Sequence, residues 1–419
     1  MTERRRVVIT GFGAITPLGA DAETFWAALV AGQSGIRPIA AFDASRVPSR
    51  IAGEVPDFDA SGVLDRKEIR RNDRTTQFAL VATRAAMDMA GLPARLNDAD
   101  SLDTAVVVGS GLGGTGTLIE QISTNATRGP DRLSPFFIPM AIGNMAAGQV
   151  GISFNARGPN FSTTSACASG GHAIGEATET ILRGDAEMAW AGGAEATVYE
   201  ATVGGFAAMR ALSTRNDDPA GASRPFDSGR DGFVLAEGAG IVVLEELGHA
   251  RARGARILAE LCGYAASADA SHITAPAPGG EGALRASRRA LQKAGIGADE
   301  IDVVSAHATS TPAGDMEELA AIRSLLGERA PQVSVTAAKS AIGHTLGAAG
   351  GIALVSMLLA MRDGVVPPTL NLTEPDPGVR DMDLTPLVSR RRDVRVALVN
   401  AFGFGGQNSA IVVRRWDEG

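Results

Sequence analysis

Two cysteines and five histidines are the residues of this chain best suited to nucleophilic or proton-transfer chemistry, and their settings differ. Cys167 lies in FSTTSACASGGHAIGEATETILRG, where small polar residues give way to a helical pattern at about the cysteine. A thiol at a helix N-terminus meets unsatisfied amides and the positive end of the macrodipole. Both favour thiolate and lower its pKa from about 8.5 by one unit or more. The flanking Ala166, Ala168, Ser169, Gly170 and Gly171 leave room for a bulky acyl group. Two uses are open on this context, an activated nucleophile or a small buried hydrophobe. Cys262, in ILAELCGYA, reads as core.

His307 follows the strand-like IDVVSA and precedes ATSTPAGD, with hydroxyls at Thr309, Ser310 and Thr311. His344 lies in KSAIGHTLGAAGG, five residues after Lys339 and before another small-residue stretch. A histidine where a strand opens onto a loop stands where α/β folds place functional groups. One such histidine reads as structural, but two in parallel contexts beside a candidate nucleophile point to a site. Metal is the competing use of these residues. No HxxxH or CxxC spacing occurs and no carboxylate cluster substitutes, so no metal centre is expected. A GxSxG serine elbow is also absent. GSGLGG (109–114) fits a dinucleotide fingerprint formally, which keeps a dinucleotide-dependent oxidoreductase as an alternative. A tight turn or pocket wall is the better reading, because no βαβ unit with a ribose-binding acid is evident after it.

These residues need elements to position them. RRVVITG (5–11), TAVVVGSG (104–111), EMAWAGG (187–193), AGIVVLEE (239–246), IDVVSAH (301–307), QVSVTAA (332–338) and RVALVNAFGFGG (395–406) read as strands. Several are apolar on both faces, as in a sheet covered by helices on each side. Helices are expected over 22–32, 75–91, 172–184 and 281–295, so strands and helices alternate in a layered α/β architecture. The stretches 165–175 and 339–351 both start small-residue helices that exit at Arg-Gly-Asp or Arg-Asp-Gly. Two similar halves facing a shared centre are therefore expected.

Length and composition bound the rest. The chain has 419 residues, 45% apolar and 21% charged, with 51 glycines, which excludes a disordered protein. A net charge of −8 argues against a nucleic-acid partner. The aliphatic run near 350–361 falls short of the roughly 20 residues of a membrane span, so no membrane partner is expected. Two cysteines make no disulfide framework, and no signal-peptide core follows the basic N-terminus. Both point to a cytoplasmic location.

Taken together, VVITGFGAITPLG, SPFFIPMAIGNMAAG, TTSACASGG, AGGAEA, RALSTRNDDPAGASRPFDSGRDGFVLAEGAG, SAHATSTPAGD, KSAIGHTLGAAG and NAFGFGGQN closely resemble the β-ketoacyl-[acyl carrier protein] synthases of the elongating ketoacyl synthase II type. The resemblance implies a thiolase-like five-layer αβαβα sandwich of two similar halves, 1–255 with the cysteine and 256–419 with both histidines, forming one compact unit. It implies decarboxylative condensation of an acyl group on Cys167 with a malonyl group, in fatty-acid or polyketide synthesis. It also implies no bound cofactor, the substrates arriving on the phosphopantetheine of an acyl carrier protein. By position, Cys167 matches the nucleophile, His307 and His344 the catalytic histidines, and Lys339 the lysine near the second. Phe404 matches a gating phenylalanine whose amide joins that of Cys167 in an oxyanion hole. Thr309, Thr311 and Thr274 match pantetheine contacts, and Leu112 a wall of the acyl pocket. Arg210 matches a carrier-docking position, and the cluster Lys67, Arg70 and Arg71 in DRKEIRRNDR is a second candidate. A homodimer is implied, with an active subunit beside a chain-length partner as the alternative.

The C-terminal FGFGGQNSA lacks the second cysteine of a degradative thiolase, so condensation is favoured over cleavage. Three departures stand out: Ala308 where the family has Gly, Gln407 where it has Thr or His, and Ala353 where it has a glutamate. That glutamate belongs to a cluster with the lysine and the acids matching Asp315 and Glu318. Losing it leaves Lys339 to be compensated by those two acids or to fall in pKa.

Overall fold

A computed structural model describes residues 5–379 and 381–417. Ten strands form one continuous sheet: β1 (Val7–Ile15), β2 (Thr104–Gly109), β3 (Asn160–Phe161), β4 (Met188–Glu195), β5 (Gly238–Glu246), β6 (Ala259–Ala268), β7 (Val303–Ser305), β8 (Ser334–Thr336), β9 (Val396–Gly403) and β10 (Gln407–Arg415). Their spatial order is β8-β7-β9-β10-β6-β1-β5-β4-β2-β3. That order is a palindrome when β1 to β5 are matched in turn with β6 to β10. Within each half, two parallel pairings are followed by two antiparallel ones. The halves join where β1 meets β6 over only two residue pairs, Val8 with Glu260 and Ile9 with Ala259. The duplication expected from the two small-residue helices therefore extends to every strand.

Five helices fill the layers: α1 (Arg74–Met89), α2 (Ser169–Arg183), α3 (Glu281–Ala294), α4 (Pro312–Leu326) and α5 (Ala349–Asp363). Alternation along the strands divides their side chains between separate cores. On β2, Ala105 and Val107 face a central core with Ile174 and Ile181 of α2 and Leu354 and Leu358 of α5. Val106 and Val108 face an outer core under Phe78 and Leu80 of α1. In the second half, Val304 and Leu398 pack outward against Leu291 of α3 and Ile322 of α4. The resulting order, helix, half-sheet, helix pair, half-sheet, helix, is the five-layer sandwich.

The long aliphatic stretch is explained by this burial. Leu346–Asp363 is the one helical run among the described residues apolar and long enough to cross a membrane, and it lies buried between the half-sheets. A helix apolar all round belongs inside. Gly184 (φ +83°) and Gly364 (φ +63°) close α2 and α5 in the left-handed conformation that glycine adopts without strain.

Three strands were not legible as such. β3 has only two residues, β6 reads as an amphipathic core segment, and β10 lies beyond a run that reads as one strand to 406. The chain instead turns at Gly405 and Gly406, both at positive φ, and β10 returns along β9.

Close packing at the centre depends on absent side chains. A Cβ on Gly240 would lie 2.3 Å from the Ile352 nitrogen and 2.4 Å from the Gly351 carbonyl carbon, both main-chain atoms. Gly240→Ala should therefore lower the urea midpoint by the equivalent of about 1–3 kcal/mol through overpacking. Gly62→Ala, which meets nothing within 4 Å, should stay within about 0.5 kcal/mol of the parent. Equal midpoints for the two variants would refute this account of the centre.

Candidate active site

Cys167 stands just ahead of α2 on a sharp turn. Its predecessor Ala166 has φ +49°, an uncommon conformation for a residue with a side chain, and a bridge joins Ser165 to Cys167. The turn is pinned from inside: Ser169 Oγ donates to the Ala166 carbonyl at 2.6 Å and accepts from the Ser165 amide at 2.9 Å. His172, which drew no attention in the sequence, shares a 2.6 Å hydrogen bond with Ser165 Oγ and reaches the Asn408 carbonyl at 3.2 Å. The end of β9 closes on the same turn because Gly403 has no side chain. A Cβ there would lie 2.5 Å from the Ser165 carbonyl and 3.2 Å from the Cys167 nitrogen. This approach carries Phe404 to the cysteine, where its amide and that of Cys167 both favour the thiolate form of the sulfur.

The second half supplies the imidazoles. The amides of His307 and Ala308 each donate to Glu318 at 2.7 Å, one to each carboxylate oxygen. Ala308 has φ +26°, which accounts for the glycine usual at this position; the two bonds to Glu318 hold the strained turn. The His344 main chain is fixed between Val234 O (2.7 Å) and the Ala236 amide (2.9 Å). The two rings meet edge to face with centroids 5.3 Å apart, Phe233 lies 5.3 Å from His344, and Phe402 lies 5.6 Å from His307. Both histidines are buried and each carries an Nδ1 with no hydrogen-bond partner.

Cys167, His307, His344 and Phe404 line one cavity of about 510 Å³, with Thr274, Thr309, Thr311 and Arg210 toward its mouth. Thr309 and Thr311 hold their hydroxyl oxygens 3.1 Å apart. Leu112 is not in this cavity. Its side chain is about half exposed, as are those of Leu118 and Ile122 shortly after it in the chain. Lys67, Arg70 and Arg71 are exposed on a short helix, Arg66–Arg71, away from the cavity lining, with the Arg71 guanidinium 4.7 Å from the Phe136 ring centre. Cys262 is half-buried in β6, as a core residue should be.

Electrostatics corrects one expectation. The Cys167 thiol is not depressed but pushed up to about 12. Burial outweighs the Lys339 charge and the two amides that favour thiolate, and Glu195 adds to the rise. Burial, and then the Lys339 charge, hold both histidines well below the usual imidazole range, so they are neutral. Lys339 is itself lowered to about 8 by burial, while Glu318 and Asp315 act on it only at longer range. Among the described residues no carboxylate forms an ion pair with it, and Ala353 is a buried apolar residue of α5. Both consequences of the missing glutamate thus occur together: the two acids compensate partly and the lysine pKa falls. Asp315, raised to about 7 by burial, also has the buried Arg230 3.8 Å away, a partner not identified from sequence.

The GSGLGG loop loses its dinucleotide reading. The amides of Gly111 and Leu112 donate to the Glu195 carboxylate at 2.6 and 3.2 Å, so they are not free to hold a phosphate.

Comparison with known proteins agrees with this geometry. The family model "Beta-ketoacyl synthase, N-terminal domain" matches residues 4–250, and the C-terminal domain model matches 258–373. The chain belongs to the β-ketoacyl synthase family. It is 47% identical to the 3-oxoacyl-[acyl-carrier-protein] synthase 2 of Coxiella burnetii, covering 99% of both chains. It is also 47% identical to the enzyme of the same name from Rhizobium meliloti, covering 98% of this chain and 99% of that one. Among solved structures, the ishigamide ketosynthase/chain length factor superposes with a TM-score of 0.91 at 35% identity, over 99% of this chain and 100% of that one. A type II PKS ketosynthase, solved with its acyl-carrier protein and bound to a hexaketide, gives 0.90 at 32% identity over the same shares. This β-ketoacyl synthase is thus a condensing enzyme of the acyltransferase type.

Removing the lysine charge tests the electrostatics. In Lys339→Met the protonated forms of His307 and His344 lose a repulsive neighbour, so both pKa values should rise. Imidazole NMR should show their titrations at higher pH than in the parent. Unmoved resonances would mean that the ammonium does not act on the rings.

Proposed function

We propose that this chain extends acyl chains by two carbons, with Cys167 as nucleophile and His307 and His344 as the donors that steady an enolate. The convergence of one thiol and two neutral imidazoles in a single cavity supports this reading most directly. The Cys167 sulfur attacks an acyl thioester as its carbonyl oxygen takes up charge between the amides of Cys167 and Phe404. Collapse breaks the bond to the pantetheine sulfur, which leaves with the thiol proton. Because the resting thiol is protonated, the nucleophile is generated during attack.

A malonyl thioester then loses CO₂, and the electron pair left behind forms an enolate. Neutral N–H donors aimed at its oxygen are worth about 3 kcal/mol each. The enolate carbon bonds to the acyl carbonyl, the carbon–sulfur bond to Cys167 breaks, and the released thiolate takes a proton from water. Decarboxylation supplies the carbanion, so no strong base is required. Thr274, Thr309 and Thr311 contact the pantetheine arm, and Lys339 holds the imidazoles neutral. No bound cofactor takes part.

The substrates arrive on an acyl carrier protein, with Lys67, Arg70, Arg71 and Arg210 as its docking cations. Arg210 stands at the cavity mouth, exposed and at φ +54°. The chain works as a dimer through the face carrying the sheet-edge strand β3 and the exposed Leu118, Ile122, Ile138, Ile142 and Phe161. A partner across that face would cover Leu112 and complete the acyl pocket. The structural likeness to a ketosynthase/chain length factor supports a second reading, in which that partner is a chain-length subunit and the product a polyketide. Two free thiols suit the reducing cytoplasm.

Intact-protein mass spectrometry after incubation with acyl carrier thioesters should show one acyl group on the parent and none on Cys167→Ala. His307→Ala and His344→Ala should still load but fail to release CO₂ from malonyl thioester. Acylation of Cys167→Ala would overturn the assignment. Reversing Lys67, Arg70 and Arg71 to Glu should raise KM for the carrier protein strongly and spare small pantetheine thioesters. Equal loss with both substrates would exclude docking at this cluster.

A further inference from the structure

Glu195 ends β4 with no exposed surface, and its carboxylate faces four hydrogen-bond donors. Oε1 accepts from Ser110 Oγ at 2.8 Å and the Leu112 amide at 3.2 Å. Oε2 accepts from the amides of Gly111 at 2.6 Å and Gly347 at 3.0 Å. Ser110 Oγ also receives the Gly113 amide at 2.9 Å, so its own proton is directed to Glu195. Burial favours the protonated acid, but three main-chain amides and the Ser110 hydroxyl, all aimed at the carboxylate, favour the anion. The four donors select the anion, and among the described residues no cation pairs with it. A charge buried without a counter-ion is costly and calls for a reason.

Its partners supply one. Gly347 lies in the turn Leu346–Ala348, three residues after His344. Ser110, Gly111 and Leu112 form the loop after β2. The cysteine turn is the third neighbour: a Cβ on Gly111 would lie 2.9 Å from Glu195 Oε2 and 3.5 Å from the Ala166 carbonyl. The charged groups acting on the Cys167 sulfur are Lys339, from the helix Lys339–Ile342, and Glu195, from β4. Its cavity is lined by His307, after β7, and His344, in the stretch before α5, and also by Arg210, Asp231, Asp269, Glu317 and Glu318.

We propose that Glu195 is a positioning residue for condensation: its buried carboxylate ties the His344 turn to the loop Ser110–Leu112 around the cysteine turn, and its fixed negative charge opposes the Lys339 ammonium at the Cys167 sulfur. The inference rests on the condensing reading above for its effect on turnover, but its effect on the thiol is independent of that reading.

Glu195→Gln removes the charge and turns one oxygen into an amide that faces two donors. Glu195→Asp keeps the charge. Alkylation of Cys167 by iodoacetamide, followed by intact mass across pH, reads the charge alone. The Glu195→Gln profile should move to lower pH, with several-fold faster alkylation at a fixed alkaline pH, and Glu195→Asp should stay near the parent. Decarboxylation of malonyl thioester reads the positioning: kcat should fall about tenfold or more in Glu195→Gln with little change in KM. Ser110→Ala, which keeps the charge and removes one donor, should lower kcat more modestly and leave the alkylation profile in place. It keeps the test open if Glu195→Gln does not fold. An unshifted alkylation profile in folded Glu195→Gln, or an unchanged kcat in Ser110→Ala, would overturn the proposal. A parent protein that releases no CO₂ would instead refute the condensing reading, and the alkylation comparison would still report on Glu195.

Discussion

The site exists because main chains from both halves meet where side chains are missing. Gly170, Gly193 and Gly347 approach one another so closely that a Cβ on Gly193 would lie 2.1 Å from the Gly347 carbonyl oxygen. Gly403 makes the same kind of approach to the cysteine turn. These contacts let β4, α2, the turn after His344 and the end of β9 share one small volume. Larger residues would push the two half-sheets apart and separate the thiol from the imidazoles.

Water exclusion follows from that closeness and sets the electrostatics. Burial raises the thiol and lowers both imidazoles, so Cys167, His307 and His344 all rest uncharged. Charge is left to the surrounding residues: Lys339 on one side, Glu195 on the other, and Glu318 behind His307. Neutral donors are what an enolate needs, and a protonated thiol is protected until a thioester arrives. The dipole of α2, which sequence suggested would dominate at Cys167, is outweighed because the sulfur is dehydrated.

Seven strands and the principal helices were legible because strong apolar runs and alanine-rich stretches alternate along the chain. β3 was hidden by its length, β6 by its mixed composition, and the start of β10 by a turn made of the same glycines that look like strand continuation. Cys167, His307 and His344 could be singled out from type and setting alone. His172, Arg230 and Phe233 could not, because each acts through a contact that no spacing reveals. Glu195 stood within the motif AGGAEA, but nothing local indicates that a carboxylate there gathers four donors from two distant segments.

Sequence by itself determined the alternation of strands and helices in two similar halves and singled out Cys167, His307 and His344, since these depend on residue type, order and local pattern; the missing carboxylate beside Lys339 was legible only through the family resemblance. Tertiary structure alone decided the protonation of the thiol, the exposed position of Leu112 and the commitment of the GSGLGG amides to Glu195. Each of these is set by what lies across space: how much water is displaced, which face is left uncovered, and which acceptor a distant strand brings to a free amide.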